Sequence, residues 1–236
     1  MMKSAPTVRL AVLLLAAVVV AGPSRAAAPG GQARLRAFDP ALLETGALIL
    51  YRDLDRGDFR APEPPAEAVG LHAQLGAVTC VFLATDPDAY IYSSSRGLDL
   101  EFGQFRARIE NLGFIAYMDR ECSWWNPASL TLPADYILQH EQIHFALFEI
   151  AARRLDSRAA ELMREFETVS TNQEQGVDAI HERLDTELLR AMNEVVTRNN
   201  DFDRDTSMTY RQDRQSAWWD TVTVELERYR RSRRHQ

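Results

Sequence analysis

The chain has 236 residues, 46% of them hydrophobic and 26% charged, which suits one substantial folded domain rather than a disordered or fibrous polymer. Its formal net charge of −7 argues against nucleic acid as a partner. No internal repeat is visible.

Lys3 and Arg9 precede an apolar run from Leu10 to Ala21, and Gly22, Pro23 and small residues follow. This is the pattern of a secretory signal peptide, with cleavage expected after Ala26 or Ala28. The run is shorter than the ~20 residues that span a bilayer. No later stretch is apolar for longer, and no cysteine follows the run to carry a lipid anchor. A secreted or periplasmic protein without an integral membrane segment is therefore expected. Removing residues 1–26 leaves 210 residues, with 24 arginines, no lysine and 34 acidic side chains, a formal charge of −10. Residues 27–46 are rich in small residues and are expected to be flexible. A single domain is expected over 47–227, and the arginine-rich tail 228–236 reads as a solvated helix end.

Strand-like runs follow at 47–51, 68–75, 77–84, 90–92, 98–109 and 114–118. The loop Arg60-Ala61-Pro62-Glu63-Pro64-Pro65 interrupts them, because proline restricts both itself and its predecessor. Within 98–109 the apolar phase shifts after Gly103, from Leu98, Leu100 and Phe102 to Phe105, Ala107 and Ile109, as a bulge there would produce. His72 reads as a structural or surface histidine. Cys80 and Cys122, in a chain bound for an oxidising compartment, are expected to pair. Closing that loop would disfavour the unfolded chain by about 4 kcal/mol. Free thiols and zinc ligation are the alternatives, and the wide spacing is unlike a zinc knuckle.

The period turns helical from 133 to about 169, with Thr131 as N-cap, Pro133 in the first turn and Asp135 near the positive end of the dipole. This helix carries His140-Glu141-Gln142-Ile143-His144. Residues four apart differ by about 40° around a helix, so His140 and His144 share a face and can hold one ion between them. Glu141 stands beside the pair as a base for a water on that ion. Phe145, Ala146, Leu147, Phe148, Ile150 and Ala151 make the helix apolar on nearly every side, and imidazoles buried there need partners. Ser170-Thr171-Asn172 reads as a break. A second helix over 173–197 shows a stripe of Val177, His181, Leu184, Leu188, Ala191 and Val195. Asn199-Asn200-Asp201 is expected to end it, and Phe202-Asp203-Arg204-Asp205-Thr206 to form an acidic turn. A last helix places Trp218, Val222 and Leu226 against the core. The fold class expected is α+β: an antiparallel or mixed sheet over 47–120, then a zincin-like helix and two further helices.

Several stretches resemble a bacterial family of predicted secreted zinc-dependent proteases. Tyr51-Arg52-Asp53-Leu54 is similar to its opening, and Tyr117-Met118-Asp119 with Ser123-Trp124 to its segment before the helix. His140-Glu141-Gln142-Ile143-His144-Phe145, continued by Glu149 and Ala152-Arg153, is similar to its central signature, and Phe202-Asp203-Arg204-Asp205-Thr206 with Gln215 and Trp218 to its closing motif. In that family a histidine follows the closing motif where this chain has Met208, a poor zinc ligand.

The resemblance implies a secreted zinc metallopeptidase acting on peptides or proteins. His140 and His144 would be its metal ligands and Glu141 its general base. The third ligand stays open among Asp203, Asp205 and His181. Glu149 would point about 140° away from the ligand face. The alternatives are a catalytically impaired periplasmic binding or scaffold protein that retains the fold, and a zinc-dependent hydrolase of cell-wall amides.

Overall fold

The structure is a computed structural model that describes residues 32–34, 41–66, 75–95, 97, 100–128, 132–206 and 210–233. The expected signal sequence, most of the expected strand 68–75 with His72, the expected cap Thr131, and Met208 lie outside the described residues.

The first half of the chain gives β1 (Gln32–Arg34), the single turn α1 (Ala41–Glu44), β2 (Leu48–Leu50), a 3-10 turn at Arg56–Asp58, β3 (Ala77–Thr85), β4 (Tyr90–Ser94), β5 (Phe105–Glu110) and β6 (Phe114–Trp125). The second half gives α2 (Ala134–Asp156), α3 (Ala159–Phe166), β7 (Thr168–Ser170), α4 (Gln173–Thr206) and α5 (Gln212–Arg233). The α+β class holds, but the strands form two sheets rather than one. One is ordered β1-β4-β5-β7 and the other β2-β6-β3, with every pairing antiparallel. β1 and α1 fall within the segment expected to be flexible. No helix among the described residues is long and apolar enough to cross a membrane.

Alternation in β3 sorts its side chains to two faces. Ala77 and Val81 join Ala116 and Met118 of β6 in the main core, which also takes in Ile143, Ala146, Leu147 and Ile150 of α2. Ala84 packs on the other side with Leu48 and Tyr117. α2 is therefore walled by this sheet on one side and by α4 and α5 on the other. Fourteen of its residues are buried, as its all-round apolar sequence demands. Val222 of α5 is fully buried, with Trp218 and Leu226 packed beside it, as the sequence predicts.

β3 and β6 leave register where Val78 faces Trp124 but Cys80 faces Asp119, so β6 bulges between them. Cys80 and Cys122 form a disulfide across this irregularity, with Cα atoms 5.9 Å apart. The bulge expected at Gly103 is absent. That glycine instead adopts φ +83° in a turn entering β5, a conformation open to glycine because it lacks Cβ. The apolar phase after it is kept, since Ala107 and Ile109 are buried.

Two helix boundaries differ from expectation. The helix over 133–169 is interrupted after Asp156, whose carboxylate accepts from the Phe114 N–H at 2.6 Å, and α3 and β7 follow. This stop is tertiary, with no glycine or proline to announce it. The helix expected to end near 197 runs on to Thr206, so the acidic turn is helical and four helices, not three, follow β6.

The Tyr51-Arg52-Asp53-Leu54 segment is tied to α2 by Gln142, whose Oε1 accepts from Leu54 N at 2.6 Å and whose Nε2 donates to the Arg52 carbonyl at 3.1 Å. Below it Asp58, fully buried, pairs with Arg52 at 2.5 Å and Arg120 at 3.1 Å and also accepts from the Asp55 N–H at 2.9 Å. Arg52 is 45% and Arg120 15% exposed, so both keep access to water once the carboxylate is gone, and the loss is that of hydrogen bonds to a charged group, about 1.5–3 kcal/mol. Asp58→Ala is therefore expected to lower the unfolding free energy by about that amount. Equilibrium urea denaturation, with the disulfide intact, measures it.

Candidate metal centre

His140 and His144 leave α2 on the face turned toward α4 and α5, and both are fully buried. Their Nε2 atoms converge on one carboxylate oxygen. Asp203 Oδ1 lies 3.3 Å from His140 Nε2 and 3.2 Å from His144 Nε2. Neither imidazole nitrogen makes a hydrogen bond of good geometry there. One ligand atom from each of the three residues lies within 4.8 Å of the others. His140, His144 and Asp203 thus form a buried group that can hold a metal ion.

The other ring nitrogens are held by side-chain amides. Gln215 of α5 donates through Nε2 to the Tyr136 carbonyl and to Gln139 Oε1, each at 2.9 Å, which leaves its Oε1 facing His140 Nδ1 at 3.3 Å. Asn199 of α4 donates through Nδ2 to the Val195 carbonyl at 2.7 Å, which leaves its Oδ1 facing His144 Nδ1 at 2.5 Å. An amide oxygen accepts only, so both imidazoles are directed to keep a proton on Nδ1, which leaves Nε2 as the position that exchanges a proton for a metal. This is the tautomer a metal takes up through Nε2. Phe202 closes the site, its ring 4.4 Å from that of His140 and 5.0 Å from that of His144.

Among the three candidates for a third ligand, geometry selects Asp203. Asp205 lies two residues on, about 200° round the helix, and accepts from Trp218 Nε1 at 3.1 Å. His181 is on the same helix but 22 residues earlier, roughly 33 Å away along its axis. Glu149 pairs with Arg153 at 2.6 Å. Glu141, 1% exposed, points its carboxylate toward β3, where Thr79 Oγ1 donates to its Oε2.

Asn199 was legible only as a helix terminator, and Thr79 only as a strand residue. The signal that could have found Asn199 is its four-residue spacing to Asp203, which repeats the logic of His140 and His144 once the helix is carried through Asn199-Asn200.

The converging groups share their charge with a proton when no cation is present. Burial opposes a charge on His144, but the Asp203 carboxylate outweighs it and pushes the pKa up to about 9. Burial likewise raises Asp203, but His144 and His140 overcome this and hold it down at about 2. A metal must displace the His144 proton. From pH 6.5 up to about 9, zinc affinity of chelator-treated protein is therefore expected to rise roughly tenfold per pH unit and then level off. Competition titrations against a zinc indicator measure this. Asp203→Ala is expected to lose bound metal, read as metal per protein by mass spectrometry, whereas Asp205→Ala and His181→Ala keep it. No protein-family model matches this chain, nor does any curated protein or solved structure, so its function is read from these side chains.

Proposed function

We propose that the protein is a secreted or periplasmic zinc-dependent metallopeptidase of the kind its sequence resembles. The observation that carries this reading is the convergence of His140, His144 and Asp203 beside Glu141 on the same helix. Two imidazoles and one carboxylate are a donor set suited to zinc, and three protein ligands leave a coordination position for water. A zinc ion held there would lower the pKa of its water to around 7 and polarise the scissile carbonyl. With such an ion bound, Glu141, the next residue after His140, would serve as the base for its water and as the acid for the leaving amine. Gln215 and Asn199 hold the imidazoles turned toward Asp203. β3 touches Glu141 through Thr79, and a peptide or protein substrate is the class that the resemblance implies.

A second reading has its own observation. Both histidines are fully buried and Asp203 is 15% exposed, so the same metal would also serve as a closed cross-link between α2 and α4 in a protein without turnover.

Glu141→Gln separates the two. The metallopeptidase reading expects peptide cleavage to fall by a factor of about 10²–10⁴ while bound zinc stays at the wild-type level. Bound zinc with no cleavage of casein or a peptide library in either protein would leave the cross-link. Folded protein that takes up no zinc would remove both readings.

A further inference from the structure

Glu141 is buried to 1% exposure, and its carboxylate meets a hydroxyl rather than a cation: Thr79 Oγ1, itself on a residue 1% exposed, donates to Glu141 Oε2. The contact joins residues 62 apart in sequence and ties α2 to β3.

The Thr79 side is braced. Its neighbour Cys80 is bonded to Cys122, and the Cys80 N–H donates to Ser123 Oγ at 3.0 Å. Ser123 Oγ in turn donates to the Asp119 carbonyl at 2.5 Å. On the other side of Thr79, Val78 is in register with Trp124. The residue is thus pinned from both directions at the one place where β3 and β6 lose register, and β-branching leaves its χ1 few choices. The Glu141 side is braced too. The residues on either side of it, His140 and Gln142, are held respectively by Gln215 and by the backbone of Leu54 and Arg52, so α2 cannot rotate to carry the carboxylate away.

We propose that Thr79 is a positioning residue for Glu141: its hydroxyl occupies Oε2, fixes the carboxylate plane, and leaves Oε1 as the oxygen that accepts the proton. The role in turnover rests on the metallopeptidase reading, but the hydrogen bond and the orientation it imposes do not. A carboxylate that must receive a proton and return it needs one oxygen reserved for that task, and a neutral donor on the other oxygen orients it without the charge an arginine or lysine would add. Thr79 touches neither substrate nor metal and acts only through Glu141.

The test uses full-length protein with the disulfide intact, with Thr79→Val to remove the hydroxyl at nearly constant shape and Thr79→Ser to keep it. Infrared difference spectra of each protein against its own Glu141→Gln counterpart isolate the Glu141 carboxylate stretch. The expected result is a displaced band in Thr79→Val, a wild-type band in Thr79→Ser, and unchanged zinc content in both. In the peptide assay kcat falls about 10–100-fold in Thr79→Val with KM little altered, and Thr79→Ser restores it. If the valine variant does not fold, Thr79→Ala removes the hydroxyl without adding bulk and gives the same readout. An unmoved band in a folded hydroxyl-free variant overturns the proposal, as does wild-type kcat there. If the wild-type protein cleaves no peptide, the failure lies with the metallopeptidase reading, and the infrared comparison alone decides the position of Glu141.

Discussion

The constraint on which the rest depends is the burial of two imidazoles and two carboxyl side chains around one turn of α2. His140, Glu141 and His144 are at most 1% exposed, and Asp203 reaches them from α4. Polar groups taken out of water must find partners, or their desolvation cost falls on the stability of the whole domain. Each neighbouring element answers part of that demand: β3 supplies Thr79, α4 supplies Asn199 and Asp203, and α5 supplies Gln215. The fold surrounding α2 is in this sense a set of hydrogen-bond partners delivered to one helix.

The partners differ in chemical kind. Both Nδ1 atoms meet neutral amide oxygens that are oriented by their own NH₂ groups, whereas both Nε2 atoms meet the same carboxylate. Neutral acceptors behind the rings and a single charge in front of them leave a net attraction for a cation at the convergence point. The apolar ring of Phe202 lies alongside, with Trp218 behind it at 5.5 Å, so the attraction acts where screening by water is weak.

Two of the stretches that resemble secreted zinc-dependent proteases meet α2 in the structure. The Arg52-Asp53-Leu54 opening is fastened to α2 through Gln142, the residue between the two elements of the His-Glu and Ile-His pairs. The closing motif delivers Asp203 to the histidines, Asp205 to Trp218, and Gln215 to His140. The resemblance expects another histidine where this chain has Met208; among the described residues Asp203 joins His140 and His144 in a group that can hold a metal ion.

The sequence by itself determined the features whose physics is local. A four-residue spacing on an apolar helix placed His140 and His144 on one face, strand-like runs located β2, β3, β4, β5 and the first part of β6, and two cysteines in a chain expected to be secreted pointed to the Cys80–Cys122 bond. Tertiary structure alone decided the rest. α4 continues through Asn199-Asn200, where Asn199 turns inward to Val195 and His144 instead of capping a helix end, and the extension to Thr206 carries Asp203 to the face of His140 and His144. α2 stops at Asp156, whose carboxylate accepts from the Phe114 N–H of β6. Thr79 and Gln215 reach the site from strand and helix remote in sequence. Spacing along one element can be read from the chain; a partner across 55 to 75 residues exists only once packing has brought the two elements together.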